Sequence, residues 1–495
     1  MTRKVPLETL LTPLPAVAVS GDPRIAVSGV TIDSRRVRPG DLFVALSGTR
    51  TDGMRFVADA LARGAAAILS DRPRPAGIEC PWVTAPDARA ALALVARELH
   101  GRPDEKLPVI GITGTNGKTT LTYLLEAIVI AAGGSAGVLG TVSYRIAGEA
   151  IHADRPTPEA DAVYDYLERM ADAGCTHGIM EVSSHALALK RVHGLRFAAG
   201  VFTNLTQDHL DFHGTMENYF EAKSLLFREL PSSSVAVLNA DSPASGRLAR
   251  LTSARVVTFG SEEGATWRMS PVDASFDGVR FTLTGPDLAL PIVSPLCGLP
   301  MASNAAAAAA TALSLGLPPE AVTAGIRRFE GAPGRFERIV RGQDFQVIVD
   351  YAHTPDAVEG LLATVRALRP ARILTVFGCG GDRDRAKRPL MGGAAARESD
   401  EIFLTSDNPR TEDPEKIMDD AEAGIRSVPG AAARTRRIAD RREAIAAAIA
   451  LAREGDAVVI AGKGHEDVQI LGDRTIPFDD RLVAAECLDL RLGRG

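Results

Sequence analysis

Residues 109–121 read VIGITGTNGKTTL: an apolar run, a turn of Gly, Thr and Asn, then Lys118, Thr119 and Thr120. This order constrains the fold more than any other feature of the chain. A buried strand feeding a small-residue turn and then a helix leaves backbone N–H groups converging on one spot, where the helix dipole favours negative charge. Lys118 is placed to reach terminal phosphates, and Thr119 to offer its hydroxyl to Mg2+. The commonest loop of this type carries a glycine five residues before the Gly117-Lys118 pair, and Ile112 stands there instead.

The strand–turn–helix unit recurs along the chain. Segments 178–182, 199–203 and 235–239 are short apolar runs bounded by polar turns, which suits a sheet covered on both faces. Upstream, 65–70 is expected to be a strand following a helix ended by Gly64. Segment 88–99 is expected to be a helix with Leu92, Val95 and Leu99 on one face. The polar stretch HGRPDEKLP (100–108) is expected to link a first domain to a second, and FEGAPGRFER (329–338) marks another boundary after an alanine-rich helix at 304–315. The pattern then restarts, with strands expected at 347–350, 372–377, 401–405 and 457–461. A chain of 495 residues is too long for one core. The expected fold is α/β in three domains: 1–100, 101–335 and 336–495, the middle one P-loop ATPase-like and the last Rossmann-like.

Composition narrows the partners. There are 62 acidic against 56 basic residues, a net charge of −6. With no basic stripe, nucleic acid is excluded as the main partner. No apolar run is long enough to cross a bilayer, so membrane insertion is not expected. The start, MTRKVPLETLLTPLP, lacks the apolar region of a signal peptide. Five scattered cysteines (80, 175, 297, 379 and 487) fit a reduced cytoplasm better than a disulfide framework.

Several polar stretches carry chemistry. In GIMEVSSHAL, Glu181 ends an expected strand and faces the ligand crevice. FTNLTQDHLDFHGTMENYFEAKSLLF carries His209, Asp211, His213 and Lys223. His209 and His213 are four apart, as in a zinc helix, but the glutamate of that motif is absent. A Mg2+ site using Glu181, a histidine and phosphates fits better. Ser183, Ser184 and His185 lack the nucleophile-elbow glycines of a serine hydrolase. Later, DYAHTPDA (350–357), GCGGDRDRAKRP (378–389), TSDNPRTED (405–413) and AGKGHED (461–467) each follow an apolar strand, which points to a binding rim. Arg383, Arg385, Lys387, Arg388 and Arg410 are expected to make that rim receptive to carboxylates. Residues alone therefore suggest a phosphoryl-transferring enzyme with a nucleotide in its middle domain and a carboxylated substrate.

These motifs, in their order, resemble those of the Mur ligases of peptidoglycan synthesis over nearly the whole chain. The carriers are DSRRVRPGDLFVALSGTRTDGMRF, TGTNGKTT, EVSSHAL, FTNLTQDHLDFHGTMENY, GAPGRFE, DYAHTPD, GCGGDRDRAKRP, DNPR and GKGHE. The resemblance implies an N-terminal UDP-sugar-binding domain and a monomeric cytoplasmic enzyme. It further implies ATP-dependent, Mg2+-assisted amide formation. The γ-phosphate moves to the terminal carboxylate of UDP-MurNAc-L-Ala-D-Glu, and an amine attacks the acyl phosphate.

By the same resemblance, Gly114, Thr115, Asn116, Gly117, Lys118, Thr119, Thr120, Asn304, Arg335, Asp350 and His353 bind ATP. Thr119, Glu181, His209 and a carbamylated Lys223 serve Mg2+, and Lys118, Glu181, His209 and Lys223 are catalytic. Carbamylation requires a neutral amine, so a lowered pKa is expected at Lys223. Ser34, Thr157, Ser184 and Arg191 fall at UDP-MurNAc-dipeptide contacts. Arg383, Asp407, Asn408, Pro409, Arg410, Gly462 and Glu466 fall at the incoming amino acid. Arg410 implies meso-diaminopimelate, because a guanidinium repels a lysine ammonium; L-lysine is the alternative. Two departures from the family pattern stand out. Its Thr-Thr-Pro is Pro156-Thr157-Pro158 here, and its G-x-F-N-x-x-N is GLPMASN (298–304), which keeps only the final Asn304.

Overall fold

The computed structural model describes residues 3–48 and 51–494. Thr49 and Arg50 of the N-terminal motif, and Met1 and Thr2 of the opening stretch, lie outside the described residues. The chain divides into two compact units. One holds residues up to 205 with 209–267 and 307–325; the other holds 206–208, 268–306 and the chain from 326 onward.

Besides the short pair Val5–Pro6 with Ala26–Val27, the first unit carries two larger sheets. A five-stranded sheet runs Ala18–Ser20, Trp82–Thr84, Ala67–Ser70, Asp41–Ala45, Gly29–Thr31, parallel except at its first pair. The larger sheet is parallel through Ala136–Leu139, His177–Glu181, Val109–Thr113, Phe197–Phe202, Val235–Asn239 and Arg255–Gly260. A hairpin, Ser143–Ile146 with Glu149–His152, extends it antiparallel at one end. Every residue of Val109–Thr113 is buried, as an apolar run covered on both faces requires. Ile112, with no exposed surface, belongs to the sheet core rather than to the turn. Register pairs Ile112 with Glu181 and Thr113 with Phe202, so these strands end together beside the phosphate-type loop.

The helix Ala88–Leu99 forms as its sequence predicts, capped by Asp87, whose Oδ1 accepts the Ala90 N–H at 2.9 Å. It shares one apolar core with Ala160–Asp172 of the following segment, through Leu92, Val95, Val163 and Leu167. The expected linker is pinned within this unit. Asp104 is buried and takes Arg97 Nε at 3.0 Å and the Arg196 backbone N–H at 2.9 Å.

In the second unit a six-stranded sheet runs Glu337–Arg338, Gln346–Asp350, Ala457–Ala461, Ile373–Phe377, Glu401–Leu404, Thr435–Arg437, parallel after its first pair. Helices Pro355–Ala367, Lys387–Glu398 and Pro414–Arg426 cover one face through Val358, Met391 and Ile417. Arg441–Leu451 and Asp480–Arg491 cover the other through Ile445 and Leu488. This is a doubly wound layer, and the four polar stretches noted in the sequence all leave the carboxyl ends of its parallel strands. Among the described residues, no helix is long and apolar enough to cross a membrane.

Candidate active site

The turn after Val109–Thr113 depends on glycine. Gly114 has φ +146°, and a Cβ there would stand 1.9 Å from the Thr203 hydroxyl. Gly117, at φ +87°, opens the helix Lys118–Ala131. The neighbouring strand end clamps the loop. Thr203 Oγ1 donates to the Asn116 carbonyl at 2.6 Å, Asn204 O accepts the Thr115 N–H at 2.9 Å, and Asn204 Oδ1 accepts the Asn116 N–H at 2.9 Å. The Thr115 hydroxyl lies 3.3 Å from the Tyr219 hydroxyl.

Two lysines converge on this loop. Lys118 Nζ donates to the carbonyls of Gly114 (2.9 Å) and Thr115 (2.8 Å). Lys223, only 2% exposed on helix Met216–Arg228, donates to the same Gly114 carbonyl at 2.8 Å, with its ammonium 4.4 Å from the Tyr219 ring centre. Thr119 and Thr120 are buried in the first helical turn. Glu181 Oε1 accepts the Thr119 hydroxyl at 2.9 Å and the Thr141 N–H at 2.8 Å, and Oε2 accepts the Thr141 hydroxyl at 2.9 Å.

The paired Thr119 hydroxyl and Glu181 carboxylate are hard oxygen donors beside an anion-binding loop, a set that suits Mg2+. Among the described residues no three His, Cys, Asp or Glu side chains stand close enough to hold a metal alone. The donors therefore fit a cation shared with phosphate oxygens, which is the usual way Mg2+ is held. His209 is in the left-handed region (φ +53°) at the start of Leu210–His213, its ring edge-on to His185 at 4.8 Å. His213 Nε2 lies 3.0 Å from Ser184 Oγ, so the zinc-helix alternative gains nothing, and Ser184 is partnered to His213.

The remaining first-unit residues named from the sequence are built into the scaffold. Thr157 is fully buried, and its hydroxyl donates to the Glu181 carbonyl at 2.9 Å. Arg191 is 9% exposed, donates to the Thr157 carbonyl at 3.1 Å and pairs with Glu159 at 2.7 Å. Burial pulls its pKa below the usual guanidinium value, against the opposing pull of Glu159. Ser34 is buried at the start of a short turn, 3.4 Å from Asp59 Oδ2.

In the second unit, Asp350 accepts the N–H groups of Phe336 (2.7 Å) and Ala352 (2.8 Å). Burial raises its pKa, although Arg335 opposes the shift. The Arg335 guanidinium lies over the Tyr351 ring at 4.6 Å, and Tyr351 packs against His353 and His465. Asn304 is buried, 3.8 Å from the Met301 sulfur.

Across the sheet edge, Asn408 Nδ2 donates to Glu466 Oε2 at 2.9 Å, and Lys463 bonds both side chains. Gly462 (φ +121°) has Asp407 against it, where a Cβ would meet the carboxylate at 2.7 Å. Arg410 follows the buried Pro409 at φ +53° and donates to the Gly381 carbonyl at 2.7 Å. Gly380 adjoins both Arg410 and Arg383.

The expected five-cation rim needs correction. Arg388 is buried and spent on Glu412 (2.7 Å) and Asp420 (2.9 Å), and Arg385 also pairs with Asp420 (3.2 Å). Arg388 in turn holds the Glu412 carboxyl down at about 2. These arginines brace the loop, which leaves Arg383, Lys387 and Arg410 to give the rim its charge. Sequence reasoning also missed Thr141, Asn204, Lys463 and Arg441. Asn204 lay unassigned inside a quoted motif, and Thr141 follows Ala136–Leu139, a strand end like the others.

Comparison with known proteins agrees with this geometry. Residues 26–99 match the Mur ligase family, catalytic domain; 112–312 match the Mur ligase middle domain; and 334–464 match the Mur ligase, glutamate ligase domain. A Solibacter usitatus protein named UDP-N-acetylmuramoyl-L-alanyl-D-glutamate--2,6-diaminopimelate ligase is 51% identical over 93% of both chains. One of the same name from Gloeobacter violaceus is 48% identical over 96% of both. A solved structure of a ligase with that name superposes with a TM-score of 0.72 at 34% identity, covering 99% of this chain and 100% of the other. With all three segments matched, the chain belongs to the Mur ligase family of ATP-dependent ligases.

Proposed function

We propose that the protein joins meso-diaminopimelate to UDP-MurNAc-L-Ala-D-Glu at the expense of ATP, as a cytoplasmic monomer in peptidoglycan precursor synthesis. The name borne by its relatives supports this reading. The observation that carries it is the convergence of Lys118 and Lys223 on the Gly114 carbonyl, with Glu181 held by Thr119 and Thr141 alongside. A carboxylate is a poor electrophile, and phosphorylation gives it a leaving group. The loop N–H groups and Lys118 stabilise charge on the phosphoryl group as it transfers.

Thr119 and Glu181, with His209 and Lys223, would hold Mg2+, which would supply further charge neutralisation there. Carbamylation of Lys223, in which the deprotonated amine adds CO2 and releases a second proton, would convert its cation into an anion suited to a second Mg2+. A carbamate keeps one N–H, which can still donate to the Gly114 carbonyl. Asn304, Arg335, Asp350 and His353 serve the nucleotide; Ser34, Thr157, Ser184 and Arg191 serve the UDP-sugar peptide. Arg383, the 407–410 stretch, Gly462 and Glu466 take the incoming amino acid, where guanidinium groups suit its carboxylates and Glu466 its ammonium.

The test is phosphate release from ATP with UDP-MurNAc-L-Ala-D-Glu and either meso-diaminopimelate or L-lysine. Release that requires both the dipeptide and meso-diaminopimelate is expected. No turnover with that pair would reject the ligase reading, and preference for lysine would reject the third-residue assignment.

A further inference from the structure

We propose that Lys463 is a positioning residue that aims Glu466 at an ammonium group of the incoming amino acid. The inference rests on the reading of the 407–410 and 462–466 loops as the amino-acid site. The Lys463 side chain has no exposed surface, and its Nζ lies 3.2 Å from both Asn408 Oδ1 and Glu466 Oε2. Asn408 Nδ2 donates to that same Oε2 at 2.9 Å, while Asn408 Oδ1 also accepts the Ile470 N–H at 3.0 Å. Both donors thus load one oxygen of Glu466. Its other oxygen, Oε1, accepts no hydrogen bond among the described residues, and the side chain is 30% exposed.

Burying an ammonium is costly, and an apolar chain of equal length would fill the space with less penalty. The position makes sense if the charge fixes a neighbour. Lys463 and Asn408 together hold the Glu466 carboxylate in one orientation before substrate arrives, with Oε1 presented outward. Ordering a long flexible side chain in advance lowers the entropy lost on binding. Left-handed Gly462 and Gly464 on either side of Lys463 turn the loop so that Lys463 points inward while Glu466 stays at the rim.

The experiment compares Lys463→Met, Lys463→Arg, Glu466→Gln and the Lys463→Met/Glu466→Gln double variant in the full-length enzyme. KM is measured for meso-diaminopimelate, ATP and UDP-MurNAc-L-Ala-D-Glu, with thermal melts alongside. Glu466→Gln and Lys463→Met are each expected to raise KM for meso-diaminopimelate about tenfold or more, the scale of a hydrogen bond to a charged group. KM for the other two substrates should stay within about twofold. Lys463→Arg should fall between parent and Lys463→Met; if the latter does not fold, Lys463→Arg alone must show the selective rise.

The double variant should be no worse than Glu466→Gln, because Lys463 acts only through that carboxylate. A normal KM in Lys463→Met beside a raised one in Glu466→Gln overturns the positioning role. So does a uniform rise in all three KM values, or additivity in the double variant. A normal KM in Glu466→Gln overturns the site reading itself.

Discussion

The Thr119 hydroxyl donates to Glu181 Oε1 across 2.9 Å, tying the first turn of the loop helix to the end of the adjacent strand. Thr141 completes the grip, so both carboxylate oxygens are oriented before any ligand binds. Glu181→Gln keeps the size but replaces one acceptor oxygen with a donor facing Thr141 and Thr119. Turnover measured by phosphate release should fall about 100-fold or more, as expected when one preorganised charged group is lost. Nucleotide binding, followed by calorimetry without the peptide substrate, should change far less.

Lys118 Nζ donates to the Gly114 and Thr115 carbonyls of its own loop, which sets its charge beside the phosphate-type turn. Lys118→Ala should cut turnover by about 100- to 1000-fold. Its melting temperature should stay close to that of the parent. A folded variant with normal turnover would show that Lys118 takes no part in catalysis.

Much of the scaffold was legible because buried parallel strands read as continuous apolar runs. Val235–Asn239 and Ala457–Ala461 lie where periodicity puts them, and neighbouring strands shift by a residue or two. The loop glycines were legible too, since only glycine suits the backbone at Gly114 and Gly117. What stayed hidden is pairing across sequence distance. Nothing local to Arg388 reveals that it is consumed by Glu412 and Asp420. Lys463 carried no role in the sequence reading, and its inward course beside left-handed Gly462 and Gly464 shows only in the fold. Ile112 first reads as a defect in the loop, and its place in the sheet core shows that the turn begins two residues later.

Arg410 is held at a left-handed backbone position, with its guanidinium on the Gly381 carbonyl. Arg410→Ala should abolish most use of meso-diaminopimelate while leaving ATP affinity within about twofold. On the proposed reading the change removes a guanidinium fork suited to bidentate grip of a carboxylate, which lysine cannot reproduce. Arg410→Lys should therefore recover little. A side-by-side assay with L-lysine checks whether either change relaxes the choice of amino acid.

Arg441 and Asp480 form an ion pair with no exposed surface on either side chain. The guanidinium meets the carboxylate at 2.8 and 2.7 Å and also donates to the carbonyls of Ala461 (3.0 Å) and Ser406 (3.4 Å). It therefore joins the roots of the two loops that carry Asn408 and Glu466. Arg441→Met strands a buried carboxylate and should cost about 3–5 kcal/mol in denaturant unfolding. Adding Asp480→Leu should recover most of that stability. The double variant should still show a raised KM for the amino acid, because the two loop carbonyls have lost their shared donor.

His465 gives the second unit a pH signature. Burial, followed by the charges of Arg335 and Arg481, pushes its pKa from 6.5 down to about 4, with Asp467 pulling the other way and His353 adding to the drop. Its Nδ1 is buried without a hydrogen-bond partner among the described residues, so nothing there stabilises the imidazolium. In the unfolded chain the same ring takes up a proton near pH 6.5. As pH falls from 6.5 toward 4, the unfolded state binds more protons than the native one, and stability declines. Allowing for partial exposure, His465 should account for about 1–2 kcal/mol of that decline. His465→Gln removes this component, so the stability difference between parent and variant should be constant above pH 6.5 and shift in the variant's favour as pH falls toward 4. Curves that stay parallel down to pH 4 would show that His465 titrates normally in the folded protein.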